Sequence, residues 1–85
     1  MREKIRTRQY VITMHAEEEM DNDNFSIFDI ESSILTGEIR ERQNDRDTGE
    51  WKYVIVGQTL TGASMAVIAK ISITRKLVII TVWRE

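Results

Sequence analysis

The chain predicts an α+β domain made of a short N-terminal strand, two helices and then a four-stranded antiparallel meander, with the helices packed on one face. Three observations carry this expectation. Apolar positions with a 3.6-residue period are confined to the part before Gly37. A period of two replaces them afterwards. The connections between the later segments are so short that consecutive strands must run antiparallel. With 85 residues there is material for one domain, spanning 1–85, and little core to spare for an elaborate site.

Residues 8–13, Arg-Gln-Tyr-Val-Ile-Thr, are β-branched and aromatic and read as the first strand. From Met14 the pattern turns helical: Met14, Ala16 and Met20 lie among Glu17, Glu18 and Glu19, acids that suit the positive end of a helix dipole. Asp21-Asn22-Asp23-Asn24 reads as a turn that closes this short helix. The second helix has a marked start. Ser26 with Asp29 forms an aspartate version of the capping box, and Phe25 with Ile30 occupies the two positions of a hydrophobic staple. Ile27, Ile30, Ile34 and Leu35 make one apolar stripe, and Gly37 is placed to end the helix in a left-handed conformation.

Beyond Gly37, Glu38–Gln43 reads as a polar strand, Asn44–Gly49 as a turn and Trp51–Leu60 as a strongly β-prone strand. Thr61-Gly62 turns the chain into Ser64–Ile73, and Thr74-Arg75-Lys76 joins that strand to Leu77–Trp83. Gly57 reads as a bulge residue and Gly62 as a turn residue. Alternation puts Met65, Val67, Ala69, Ile71 and Ile73 on the core side and Lys70 on the other. Both parities of the last strand are apolar, which marks it as the central one. Glu38, Arg40 and Arg42 share one side of their strand. If Lys70 and Lys52 fall on that side too, a basic groove forms on the open face.

Composition excludes several chemistries. The chain has no cysteine, so it has neither a disulfide framework nor a thiolate site. Its apolar runs fall far short of the ~20 residues that span a bilayer. No secretory leader follows the basic start, so the expected location is cytoplasmic. A net charge of −2 argues against a general nucleic-acid binder, but its distribution is uneven. Positions 14–38 hold eight acids and no Lys or Arg, whereas the flanking parts are basic. Such asymmetry suits a phosphate ligand on one side and a basic protein on the other, or simply the solvated face of a helix.

His15, the single histidine, sits where the first strand passes into the first helix. A neutral imidazole there suits general acid–base work, or merely packs the helix onto the sheet. Its spacing to Glu18 and Glu19 allows metal ligation, but no second His or Cys completes a site, and no metal or cofactor is expected. Lys52, Lys70, Arg40 and Arg42 are candidate phosphate contacts, with surface ion pairing as the plainer reading of each. Trp51, Tyr53 and Trp83 can stack nucleobases or fill core. There is no phosphate-binding loop, dinucleotide fingerprint or triad order.

Taken in order, Tyr10-Val-Ile-Thr-Met-His15-Ala16, Met20, Ser26 with Asp29-Ile30, Ile34 to Gly37, Gly57 and the closing Ile79-Ile-Thr81-Val-Trp83 resemble the small bacterial domain-of-unknown-function 4258 family. The resemblance covers nearly the whole chain. It implies a relation to the superfamily of barnase, EndoU, colicin and RelE-type ribonucleases, and a small antitoxin-like protein partner. By position, His15 matches the family histidine, Thr81 the threonine of the closing strand, and Trp83 stands for its tyrosine. Glu19 stands where the family has arginine, and Ala66 where many members carry a second histidine.

The resulting expectation is a RelE-like, toxin-like, metal-independent endoribonuclease of a toxin–antitoxin pair. His15 is its base or acid, Lys70 and Arg42 are phosphate clamps, Thr81 is an orienting hydroxyl, and Arg40, Lys52 and Trp83 bind the RNA. The RNA 2′-hydroxyl is the nucleophile, so the protein has only to move protons and stabilise the phosphate. The rival expectation is a non-catalytic protein-interaction module on a decayed nuclease fold, which Glu19 and Ala66 favour. A homodimeric scaffold is a third.

Overall fold

The N-terminal half of the chain folds where local signals meet buried apolar surface. The structure, a computed structural model, describes residues 2–6, 9–72 and 74–85. Helix α1 (Arg2–Arg6) was not anticipated; one buried side chain, Ile5, joins it to the core. Strand β1 (Tyr10–Ile12) lies inside the predicted segment, whose Arg8 is outside the described residues. Thr13 is extended and caps α2 (Met14–Asp23): its Oγ1 accepts from the Ala16 amide and donates to the Ile80 carbonyl at 2.9 Å. Helix α2 continues through the expected Asp21–Asn24 turn and stops only at Asn24, whose φ of 58° places it in the left-handed region. Asn tolerates that conformation better than most residues, and burial of Met20 holds the preceding turn in place.

Helix α3 (Ile27–Thr36) begins as expected: Ser26 accepts from the Asp29 amide, and the Asp29 carboxylate accepts from the Ser26 amide. Its end differs. Gly37 is extended, with φ of −87°, so it is not a left-handed cap. Its requirement is steric, since a Cβ there would lie 2.3 Å from the Ser33 carbonyl oxygen and 2.8 Å from that of Val56. Gly57 is likewise not a bulge residue. The ladder runs through it without a shift, and a Cβ there would lie 2.0 Å from the Ser33 oxygen. These two glycines let the last turn of α3 rest directly on strand backbone. The approach is fixed by bonds from Ser32 Oγ to the Gln58 carbonyl and from the Gln58 amide to Thr36 Oγ1.

The sheet corrects the expected four-stranded antiparallel meander. It has five strands, with β2 (Glu38–Asn44), β3 (Trp51–Gln58), β4 (Ser64–Ile71) and β5 (Leu77–Arg84), in the order β1-β5-β4-β3-β2. β1 pairs in parallel with β5, Tyr10 opposite Leu77 and Ile12 opposite Ile79. The N-terminal strand therefore belongs to the same sheet, and the centre falls to β4 rather than β5. β5 is apolar on both parities because its register shifts: Ile68 faces Thr81 while Ala69 faces Ile79, leaving Ile80 as an extra residue, so Leu77 and Ile79 before the shift and Val82 after it all reach the core. Ile73, expected at the end of β4, lies outside the described residues.

All three helices are joined to one side of the sheet. Ile5, Ala16, Met20, Phe25, Ile30 and Ile34 share a single core with Ile55, Met65, Val67, Ala69, Leu77, Ile79 and Val82. Arg84 closes this side by lying 4.9 Å over the Phe25 ring and donating to the Asp23 carbonyl. Among the described residues no helix is long and apolar enough to cross a membrane.

Candidate functional site

The other side of the sheet carries no helix among the described elements, and its composition follows from register. Directly opposed residues of paired strands point the same way. Lys52, Lys70 and Val78 form one row, Val54, Ile68 and Thr81 the next, and Val56, Ala66 and Trp83 a third. The centre of this face is apolar: Val54 and Ala66 are buried, and Ile68, Val78, Thr81 and Trp83 are half-buried. Its charges stand at the ends and, with Glu41 opposite Val54, along the β2 edge.

At one end Lys70 Nζ lies 3.3 Å from Glu50 Oε1, with side chains 29% and 21% exposed. Beside it Lys52 Nζ lies 3.9 Å from Asp45 Oδ2. Asp45 is held below the usual carboxylate range mainly by the Asp47 amide, with desolvation opposing and the Thr48 amide and Lys52 adding to the lowering. Glu50 and Asp45 were not singled out from the sequence. Period-two spacing from Lys52 would have pointed to Glu50, but Asp45 is placed by the β2–β3 turn, which spacing does not fix.

At the other end, a register shift between Ile39 and Glu41 makes Arg40 the extra residue of β2. Bulges re-aim side chains, and this one turns Arg40 toward Glu85, with which it pairs. Arg40, Glu38, Val56, Gln58 and Ser64 line a groove of about 500 Å³.

The expected site is thus assembled in part. Arg40, Lys52, Lys70, Thr81 and Trp83 share the open face. Arg42 does not, contrary to the expectation that it sits beside Glu38 and Arg40. It is opposite Tyr53 in the ladder, on the helix side, with its guanidinium 5.9 Å from the Trp51 ring centre. The bulge at Arg40 is the cause, since one extra residue reverses the facing of everything after it. Tyr53 packs against the core.

His15 lies in the first turn of α2, its side chain 61% exposed and its Nε2 3.7 Å from Glu19 Oε1. It follows β1 at one edge of the sheet, whereas Arg42 lies on β2 at the other edge. That separation is four strand spacings, about 19 Å. Among the described residues no group of three or more His, Cys, Asp or Glu gathers to hold a metal ion.

Comparison with curated proteins finds no match, and comparison with solved structures finds none. A family description, Domain of unknown function (DUF4258), matches residues 12–84, from the end of β1 to the end of β5. That span takes in α2, α3, strands β2 to β5 and every expected site residue, so the chain belongs to the DUF4258 family.

Proposed function

We propose that the chain binds single-stranded RNA across the open face of its sheet and cleaves it as a toxin-like, metal-independent endoribonuclease. The observation that supports this reading is the gathering of Arg40, Lys52, Lys70, Thr81 and Trp83 on one helix-free surface. Lysines at one end and an arginine at the other suit successive phosphates, and an aromatic ring between apolar neighbours suits a base. Lys70 and Lys52 stabilise the crowded phosphate and Thr81 orients it; His15, on the helix-bearing side and two strand spacings from β4, is out of reach of that phosphate and moves no proton there. Arg42 has no part in this reading.

The test is cleavage of RNA by the purified chain in the presence of a chelator. Expected are products ending in 2′,3′-cyclic phosphate, with a loss of ~100-fold or more on Lys70→Ala. Wild type and Lys70→Ala cleaving equally, or neither cleaving, ends the proposal.

A second reading, a non-catalytic module that binds a small antitoxin-like protein, is favoured by a different surface. Phe28 and Leu60, 53% and 68% exposed, line an apolar depression of about 310 Å³ with Leu35. Binding of a protein partner lost on Phe28→Asp, in a chain that neither binds nor cleaves RNA, selects this reading.

A further inference from the structure

Lys52 and Lys70 are direct partners in the β3–β4 register, side by side on the open face. Like charges set opposite one another in an antiparallel pair destabilise the sheet. Among the described residues each ammonium is answered by a single carboxylate, Lys70 by Glu50 and Lys52 by Asp45. Glu41, on the same side of β2, accepts from Gln43 instead. Gln43, directly opposite Lys52, is thereby turned to Glu41, and the remaining neighbours on this face, Val54, Ile68 and Val78, are apolar.

We infer that the space between the two ammonium groups is a seat for a phosphate group, a phosphodiester in the RNA reading on which this rests, and that Glu50 and Asp45 occupy the lysines until it arrives. Two ammonium groups on adjacent strands, whose Cα atoms lie about 4.5–5.5 Å apart, can reach one anion between them. Partial burial of Lys70 and Glu50 strengthens whatever charge interaction is made there. The two carboxylates therefore compete with an entering anion. Asp45 divides its work: Oδ1 accepts from the Asp47 and Thr48 amides and shapes the turn, while Oδ2 faces Lys52. Asparagine keeps the first role and drops the charge.

This arrangement makes a prediction opposite in sign to that of a purely structural ion-pair network. The double variant Asp45→Asn, Glu50→Gln should bind anions more tightly, by about three- to tenfold, because two repulsive charges are gone. A structural network would only lose stability. The probes are inorganic pyrophosphate, read by the thermal midpoint of the full chain, and a short 2′-O-methyl RNA that cannot be cleaved, read by salt-dependent binding.

Pyrophosphate should raise the midpoint of wild type, raise that of the double variant more, and leave Lys52→Met, Lys70→Met unmoved. For the RNA, each lysine removed should reduce the slope of log affinity against log salt by ~0.7, and Lys70→Arg should restore its share. Pyrophosphate binding that survives loss of both lysines, or that weakens when the carboxylates are neutralised, overturns the inference. Failure of the two readings is separable. A pyrophosphate response without RNA cleavage leaves the seat standing and removes the nuclease, while cleavage with unchanged salt slopes does the reverse.

Discussion

Gly57→Ala is the sharpest test of how α3 sits on the sheet. The added Cβ would lie 2.0 Å from the Ser33 carbonyl oxygen and 2.8 Å from its carbon, where real contacts are essentially never under 3.0 Å. The helix must therefore retreat by about 1 Å, and the obstacle is backbone, which cannot rotate away as a side chain would. Overpacking of a core costs about 1–3 kcal/mol. The retreat also stretches the bonds from Ser32 Oγ to the Gln58 carbonyl, 2.8 Å, and from the Gln58 amide to Thr36 Oγ1, 3.1 Å. We expect the upper end of that range, about 3 kcal/mol, which for a domain of this size lowers the thermal midpoint by about 12–24 °C. Circular dichroism melts of wild type and variant measure it. Gly62→Ala is the control: its φ is +88° but nothing lies within 4 Å, so only the backbone penalty of about 1–2 kcal/mol applies. A Gly57→Ala midpoint no lower than that of Gly62→Ala would refute the close-approach argument.

Other outcomes follow from the same contacts. Ser33 is fully buried and among the described residues its Oγ has no hydrogen-bond partner, so Ser33→Ala should raise stability by about 1 kcal/mol in a denaturant titration, and a loss would show an unrecognised bond. Ser26→Ala removes the side-chain cap of α3 and should cost about 1 kcal/mol, checked in the same titration. Asp29 is held below the ordinary carboxylate value chiefly by the Ser26 amide, with desolvation opposing and the Leu60 amide assisting. Its folded value is below its unfolded one, so its contribution is complete above pH ~4 and disappears as pH falls through the lowered value. The midpoint difference between wild type and Asp29→Asn should accordingly be largest near neutrality and shrink in acid; a difference constant with pH would contradict it.

Much of the fold was legible because its signals are local. The Ser26–Asp29 box, the stripe through Ile30 and Ile34 and the alternation of Met65, Val67 and Ala69 each need only a few residues of sequence, and each appears in place. What escaped depends on partners far along the chain. Nothing near Tyr10–Ile12 indicates that its neighbour is β5, and nothing near Arg2–Arg6 indicates that Ile5 is buried. Gly37 and Gly57 were recognisable as special positions, but not as the two sides of one contact, since their role exists only when helix and strand meet. The candidate site came apart at two places: an extra residue at Arg40, invisible to a period-two count, sends Arg42 to the opposite side, and the pairing of β1 with β5 leaves His15 at the far edge, while Lys70 falls where alternation put it and Lys52 joins it by register. The carboxylates that answer those lysines come from a turn and its exit, where spacing carries little information.

The parallel pairing of β1 with β5 has a consequence for how the molecule comes into being. Thr13 and Ile80, which seal that seam, are 67 positions apart. A link of such span is made late, because ordering the intervening chain must come first. During translation the helices and the three antiparallel hairpin partners can begin to condense while β1 still waits for its mate. The edge next to His15 is therefore completed only once β5 has cleared the ribosome, so any activity that depends on that edge is withheld from the nascent chain.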